Sequence, residues 1–207
     1  MSDNPVLSSY AAAVWPAPDA QVSDMRFLAL DLELDGLRDN AHLLQAGWLP
    51  FTSSGVSMDG AVSRDIRSDA TLDEEAVTIH GIGEQRAAGG QPLADVLTTL
   101  LAAAGGRIVV AHGASIDTAA LQSATRKLWG AKIPIRSVCT LALERELSPD
   151  LVGAEAYRLG PTRKRYGLPV YAAHDALSDA LAAAELFLAQ LSRMPADTRI
   201  SRLERLR

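Results

Sequence analysis

Leucine alternates with other residues along positions 25–34, which read Met-Arg-Phe-Leu-Ala-Leu-Asp-Leu-Glu-Leu. A period of two is typical of a β-strand, and it places Asp31 and Glu33 on the same face. Such an apolar segment predicts a central strand, where two neighbouring carboxylates repel each other and lose hydration unless a divalent metal lies between them. If the strand instead ends before Asp31, both acids belong to a solvated turn leading into Asp35-Gly36. This segment alone leaves both interpretations open.

The pattern predicts four further strands. Residues 42–51 form the second and residues 56–67 the third, around an Asp59-Gly60 turn, and the short connections make an antiparallel meander. Residues 107–111 and 135–140 predict two more strands separated by a helix, an order that implies a right-handed crossover and parallel pairing. The expected fold is α/β, with a five-stranded mixed sheet, three strands antiparallel and then two parallel, flanked by helices.

Helices are predicted between and after these strands. Thr71, with Glu74 three residues later, resembles a capping box that opens a helix ending at Gly81. Apolar periodicity and glycine breaks predict further helices over residues 92–104, 115–128, 141–147 and 175–191. The last of these is apolar nearly all round, which is typical of a buried helix.

Composition fits one globular domain, because 48% of the 207 residues are apolar and 22% are charged. We expect a domain over residues 25–192, an N-terminal arm over 1–24 and an arginine-rich C-terminal tail over 193–207. The net charge of −5 argues against nucleic-acid binding by bulk charge, but not against an enzyme whose metals supply local positive potential. Tyr10 and Trp15 are expected to attach the arm either to the domain or to a protein partner. The tail is expected to be disordered, and binding of nucleic acid or of a partner is the alternative.

The predicted compartment is the cytoplasm. Cys139 is the single cysteine, so an intrachain disulfide is impossible and a reducing environment is favoured. The first 25 residues contain no lysine or arginine and only a short apolar run, which does not fit a secretory signal. No later run has the length needed to span a bilayer, so no membrane association is expected.

Three more residues carry candidate chemistry. Asp179 shares a stripe of the apolar last helix with Ala183 and Leu186, where a buried carboxylate calls for a cation, unless the helix dipole alone favours it. Asp117, in the first turn of its helix, is open to the same alternative. His174 lies on the loop before the last helix, and its unperturbed pKa of about 6.5 suits removal of a proton from water if metal-binding acids are near.

Three segments of the chain together resemble the motifs of a known family. Asp31-Leu32-Glu33 followed by Gly36, then residues 110–117, then residues 174–180, are similar in order and spacing to the three exonuclease motifs of the DEDDh superfamily. Within it, the chain resembles the proofreading-type group typified by the epsilon subunit of bacterial DNA polymerase III. Each motif is weakly specific alone, but the three motifs in this order are a strong signal. The resemblance covers residues 26–191.

The resemblance implies an RNase H-like exonuclease that removes nucleoside 5′-monophosphates from the 3′ ends of single-stranded DNA or short nucleic acid. Asp31, Glu33, Asp117 and Asp179 would bind two divalent ions, Mg²⁺ or Mn²⁺, and His174 would be the general base. The chemistry agrees independently, because four carboxylates balance the charge of two such ions. A preference for very short RNA, as in oligoribonucleases, and a catalytically silent binding or scaffold module of the same fold remain alternatives.

The substrate contacts implied by the resemblance are Leu34, Gly36 and His80, and a helix-capping role is an equal alternative for His80. Leu34-Asp35 replaces the usual threonine pair of the family, Gly113 its asparagine and Ile116 its phenylalanine, which suggests an altered substrate preference. His112 is predicted to be structural. Arg158, Arg163, Lys164 and Arg165 either contact backbone phosphates or form a solvated helix face.

Overall fold

A computed structural model describes residues 4–36, 41–70, 72–73, 77–78 and 80–206. Its strands are β1 (Arg26–Leu34), β2 (Leu43–Thr52), β3 (Gly55–Val56), β4 (Val62–Asp65), β5 (Ile108–Ala111) and β6 (Ser137–Cys139). Its α-helices are α1 (Pro5–Ala11), α2 (Glu84–Ala88), α3 (Leu93–Ala104), α4 (Ala114–Trp129), α5 (Thr140–Leu147), α6 (Leu159–Arg165), α7 (Ala176–Leu191) and α8 (Ile200–Glu204).

The strands form one mixed sheet in the order β3-β2-β1-β5-β6, with β4 also paired to β2. The β1–β2 pair is antiparallel, whereas β5 is parallel to both β1 and β6. The predicted fold class is therefore confirmed. The predicted third strand is divided into β3 and β4, because a turn containing Gly60, with φ of 80°, separates them. Within the described part of the chain the sheet thus has six strands where five were predicted.

The central position of β1 follows from its alternating side chains, which serve two cores. Leu28, Leu30 and Leu32 belong to the core that includes α3 and α4. Phe27 and Ala29 belong to the opposite core, where the Phe27 ring lies 5.0 Å from that of Phe187 on α7. Since side chains alternate across a strand, the odd-numbered face that carries the two acids is the face covered by α7.

Helix α7 lies unusually close to the sheet at Gly47 of β2. A Cβ atom at Gly47 would lie 2.2 Å from the carbonyl carbon of Ala176 and 2.2 Å from the amide nitrogen of Leu177. Gln45, two positions earlier and fully buried, accepts a hydrogen bond on Oε1 from the Ala176 amide at 2.9 Å. This contact fixes the first turn of α7, and hence Asp179, relative to β1 and β2.

The predicted helices at 92–104, 115–128, 141–147 and 175–191 correspond to α3, α4, α5 and α7. The predicted capping box at Thr71 and Glu74 lies outside the described residues. Val77, Thr78 and His80 are helical, and the Gly81 amide donates to the Val77 carbonyl at 2.9 Å. The structure adds α1, α2, α6 and α8, which are too short to show apolar periodicity.

Residues 4–24 and 193–206 pack against the rest of the chain. Tyr10 is buried and its hydroxyl donates to the Pro134 carbonyl at 3.0 Å. The Val22 amide donates to Thr198 and the Ile200 amide to Ala20, each at 3.0 Å, so the two end segments pair with one another. The expectation of an outlying arm and a disordered tail differs from this arrangement, because pairing between distant segments leaves no periodic signal in sequence.

No helix among the described residues has the length and apolarity required to cross a bilayer.

Candidate active site

Four carboxylates from three elements converge on the α7 side of β1. Asp31 and Glu33 project from the strand, Asp117 from the first turn of α4 and Asp179 from the first turn of α7. Asp117 Oδ1 accepts a hydrogen bond from the Leu32 amide at 3.1 Å, which ties α4 to the strand between the two strand acids. The four residues predicted from sequence are thus brought together, and the solvated-turn alternative for Asp31 and Glu33 is wrong because both lie within β1.

The electrostatics of the cluster are those of acids held close together away from water. Burial raises the pKa of Asp31 well above its usual range, and Asp117, Glu33 and Asp179 raise it further. Burial raises the pKa of Glu33 to about 7, with added repulsion from Asp179. Burial also raises the pKa of Asp117 to about 7, against the opposing effect of backbone hydrogen bonds. Such a cluster favours the binding of either protons or metal cations, because both reduce the repulsion between the acids.

His174 occupies the loop that leads into α7, in a left-handed conformation with φ of 65° that is uncommon for a residue other than glycine. Its amide donates to Asp179 Oδ2 at 2.8 Å. The next residue, Asp175, caps α7 by accepting from the Ser178 amide at 3.0 Å. The predicted base is therefore attached by its own backbone to one of the predicted metal-binding acids.

Three side chains lie close enough together to hold one metal ion, those of Glu33, His174 and Asp179. Each offers one ligand atom, and the three atoms lie within 4.8 Å of one another. Within the described ranges, no other group of three or more acidic, histidine or cysteine side chains meets this criterion. Asp31 and Asp117 are not members of the trio, although their charges act on it. The carboxylate oxygens of Glu33 and Asp179 suit a hard divalent cation such as Mg²⁺ or Mn²⁺, whereas the imidazole nitrogen of His174 suits a softer ion such as Zn²⁺.

The predicted substrate contacts lie next to this cluster in sequence or space. The β1–β2 register shifts between Glu33 and Leu34, and Leu34 packs half-buried against the α3-side core. Gly36 has φ of 139°. His80 is 7% exposed, accepts from the Ile82 amide on Nδ1 at 3.0 Å, and has no hydrogen-bond partner on Nε2 among the residues that the structure describes. Burial lowers the pKa of His80, and the charge of His174 lowers it further.

Asp35, where the family usually has threonine, is fully buried. It accepts from the His42 amide at 2.7 Å and lies 2.8 Å from His42 Nδ1. This pair closes the base of the connection between β1 and β2. Sequence reasoning assigned no role to His42, because no motif surrounds it.

His112 has both ring nitrogens occupied, by Thr140 Oγ1 and by the Tyr157 carbonyl, each at 2.9 Å. Burial lowers its pKa to about 4, so the ring is neutral near neutral pH. This environment is that of the structural histidine predicted from sequence.

The basic residues before the third motif have different surroundings. Arg158 is exposed and pairs with Glu155, whereas Arg163 is only 4% exposed and contacts α7. Arg163 is therefore neither a phosphate contact on the surface nor part of a solvated face, and both predictions are wrong for it. Its acidic partner, Glu185, lies on a later helix, where sequence reasoning had no means to connect the two.

Sequence reasoning also missed Gln45 and Gly47, which place α7 on the sheet. A signal was available, since an amide and a glycine interrupt the otherwise apolar segment 43–51. Glycine inside a strand often marks the close approach of another backbone.

Comparisons with known proteins agree with this geometry. The RNase_T family model, described as "Exonuclease", matches residues 28–187. The chain belongs to this exonuclease family. The matched region contains all five predicted catalytic residues and the sheet that positions them.

Individual relatives of this exonuclease-family chain are distant. DNA polymerase III subunit epsilon from Aquifex aeolicus (strain VF5) is 33% identical over 106 residues, which cover 51% of each protein, so the chain spans about half of that relative. Exonuclease X in complex with 5′ overhanging duplex DNA aligns with a TM-score of 0.65 and 22% identity, over 87% of this chain and 99% of the other. A zinc-bound E. coli ExoI–ssDNA complex aligns with a TM-score of 0.70 and 18% identity, over 83% and 41%.

The acid cluster predicts that the metal-free protein loses stability as pH rises. Glu33 and Asp117, with pKa values of about 7 in the fold, bind more protons there than in the unfolded chain, where carboxyl pKa values are about 4. The stabilisation from protonating them is complete below about pH 4 and is lost as pH rises through about 7. Mn²⁺ binding requires the deprotonated acids, so it should raise the melting temperature more at pH 8 than at pH 5.

Thermal melts at both pH values, with Mn²⁺ or with chelator, measure this difference. Asp31→Asn should reduce it, because Asp31 is the acid whose charge all three others oppose. An Mn²⁺ effect that is equal at the two pH values, or unaltered by Asp31→Asn, would contradict the prediction.

Proposed function

We propose that the chain is a metal-dependent 3′–5′ exonuclease that hydrolyses the terminal phosphodiester bond of single-stranded DNA or short nucleic acid and releases nucleoside 5′-monophosphates. The observation that carries this proposal is the convergence of Asp31, Glu33, Asp117 and Asp179 beside His174, in a chain of the exonuclease family. A buried cluster of mutually repelling acids has a high energetic cost, which bound cations would offset.

The four carboxylates would hold two divalent ions, Mg²⁺ or Mn²⁺. When bound, two such ions lower the pKa of the attacking water and neutralise charge on the phosphate. In the proposed reaction His174 accepts the proton of that water through a ring nitrogen. Asp179 has a second function, since its Oδ2 receives the His174 amide and so fixes the loop on which the base lies.

Single-stranded DNA is the favoured substrate class. The solved structures that share this fold include complexes named for single-stranded DNA and for overhanging duplex DNA. In this chain, a cleft of about 760 Å³ adjoins His174 and Asp179, and Arg158 and Lys164 line it. These two basic side chains can contact phosphates of the nucleic-acid strand that leads to the scissile bond.

The terminal nucleotide would meet a largely apolar surface. Ile116, next to Asp117, is 47% exposed, and Leu34 lies at the end of β1. His80 is only 7% exposed, and its Nε2 is buried without a partner within the described structure, so its proposed contact with the base or sugar would require a local movement of the chain. The Leu34-Asp35 pair, which replaces the usual threonines, thus offers fewer polar groups to the terminal nucleotide. We therefore expect the cleavage rate to depend little on whether the sugar is ribose or deoxyribose. A protein partner at either end of the chain and a cytoplasmic location remain predictions.

One assay tests the proposal directly. DNA and RNA labelled at the 5′ end, from dinucleotides to long oligomers, are incubated with Mg²⁺, Mn²⁺ or chelator and resolved on gels. Progressive shortening from the 3′ end, dependent on the ion, supports an exonuclease. Turnover confined to dinucleotides indicates the oligoribonuclease-like alternative, and no shortening of any substrate with either ion contradicts the proposal.

His174→Ala should lower kcat at pH 7 by about 10²- to 10⁴-fold, the usual contribution of a positioned general base. The residual rate should rise with pH, because hydroxide can attack in place of water and does not need a base to remove a proton from it. Steady-state kinetics from pH 6 to pH 9 give both values. A variant that retains more than a tenth of the parental kcat at pH 7 would exclude His174 as the base.

A further inference from the structure

The loop that carries His174 has few attachments of its own. Between Leu168, whose amide donates to the Arg163 carbonyl at 3.1 Å, and His174 it forms no regular secondary structure. Val170 within it is 92% exposed. A general base must be held within a fraction of an ångström of its working position, so this segment needs fixed points from elsewhere.

Arg163 supplies the first of these points. Its side chain is 5% exposed, and the guanidinium donates through Nη1 to the Ala182 carbonyl at 2.6 Å and through Nη2 to the Pro169 carbonyl at 2.8 Å. Nη2 also donates to Glu185 Oε2 at 2.7 Å. One buried side chain of α6 therefore binds both the start of the loop and the middle of α7.

Tyr171 supplies the second point. Its hydroxyl donates to Glu185 Oε1 at 2.9 Å, so the two oxygens of Glu185 serve Tyr171 and Arg163 separately. The Arg163 guanidinium lies 4.8 Å from the centre of the Tyr171 ring. A planar guanidinium can stack on the ring and serve several acceptors at once, which a lysine ammonium cannot do in the same geometry.

The third point is the bond from the His174 amide to Asp179 on the same helix. Glu185 and Asp179 both belong to α7, so the loop is held at two levels of one rigid element. We propose that Arg163, Glu185 and Tyr171 form a clamp that holds the His174 loop against α7, which makes them positioning residues for the base. This inference rests on the proposed exonuclease function for its effect on rate, but the clamp itself is a property of the fold.

The chain contains a matched control. Tyr166 donates to Glu144 at 2.8 Å, accepts from Arg193 Nη1 at 3.0 Å and has the Arg193 guanidinium 5.5 Å from its ring centre. It is therefore also a tyrosine held between an acid and an arginine, but it has no link to the loop between Pro169 and His174. Tyr171→Phe and Tyr166→Phe each remove one hydroxyl and keep the ring. Tyr166→Phe removes at least as many hydrogen bonds as Tyr171→Phe, so a role limited to stability should lower kcat at least as much in Tyr166→Phe.

Tyr171→Phe is expected to lower kcat about 10-fold or more, in the range seen for outer partners of catalytic groups, and to leave KM within about two-fold. Tyr166→Phe should leave kcat unchanged. In the His174→Ala background, Tyr171→Phe should cause no further loss, because the residue it positions is gone. An unchanged kcat in Tyr171→Phe, or an equal loss with and without His174, would overturn the inference.

Hydrogen exchange separates failure of the clamp from failure of the proposed function. Exchange of the His174 amide, which is protected by its bond to Asp179 Oδ2, should be at least several-fold faster in Tyr171→Phe and unchanged in Tyr166→Phe. If the parent cleaves no nucleic acid, the proposed function fails, and faster exchange in Tyr171→Phe alone still supports the clamp. Equal exchange in the parent and Tyr171→Phe overturns the clamp whether or not the protein is active.

Discussion

Asp179→Asn should reduce Mn²⁺- or Mg²⁺-dependent release of mononucleotides by about a thousand-fold or more and leave the metal-free fold intact. Removing one electrostatic contact to a developing charge costs about 10²- to 10³-fold in known enzymes, and loss of a carboxylate that would hold an ion should cost at least as much. The amide oxygen of asparagine can still accept the His174 amide, which now bonds Asp179 Oδ2 at 2.8 Å. The loop geometry is therefore preserved.

The stability of this variant is as informative as its rate. Burial raises the pKa of Asp179, so its ionised form opposes folding at neutral pH when no cation is bound. Removing the charge should leave the metal-free melting temperature unchanged or higher and should abolish most of the increase caused by Mn²⁺. An acid favoured only by a helix dipole would behave differently, because its removal lowers stability.

Asp95→Asn is the matched control for Asp179→Asn. Asp95 also lies in the first turn of a helix, α3, but is exposed and distant from the acid cluster in sequence and element. It should retain parental activity and the parental response to Mn²⁺. Retention of more than a few percent of activity in Asp179→Asn, in the same assay, would remove the basis of the proposed mechanism.

The sequence predicted the parts of the fold that depend on local pattern. Alternation along 25–34 correctly put Asp31 and Glu33 on one face, and the apolar character of α7 correctly made its Asp179 point toward protein. Parallel pairing of β5 with β6 followed from the strand, helix, strand order. These features are fixed by period and connection length, which are visible along a single chain.

The parts that were missed depend on contacts between distant segments. Arg163 resembles a surface cation in sequence, and only the packing of α6 on α7 buries it beside Glu185. The segment near Val22 pairs with Thr198, although neither position shows strand periodicity. The motifs therefore indicated which residues form the site, but not which residues hold them in place.

Gly47→Ala should lower the melting temperature by about 6–12 °C and kcat/KM by about 100-fold. The new methyl group would lie 2.2 to 2.4 Å from backbone atoms of Ala176 and Leu177, which cannot rotate away as a side chain could. Overpacking of this kind costs about 3 kcal/mol, and each kcal/mol shifts the melting temperature of a chain this size by about 2–4 °C. Relief requires α7 to move outward, and a shift of about 1 Å is enough for a loss of this size in rate.

The displacement should affect Asp179 more than the strand acids, because Asp179 moves with α7 while Glu33 stays on β1. Mn²⁺ should consequently raise the melting temperature less in Gly47→Ala than in the parent, in addition to the lower starting value. Gly83→Ala provides the control, since its φ is −79° and nothing lies within 4 Å of the added carbon. If Gly47→Ala melts and turns over like Gly83→Ala, the position of α7 does not depend on close backbone contact with β2, and the bond from Gln45 to Ala176 must locate the helix instead.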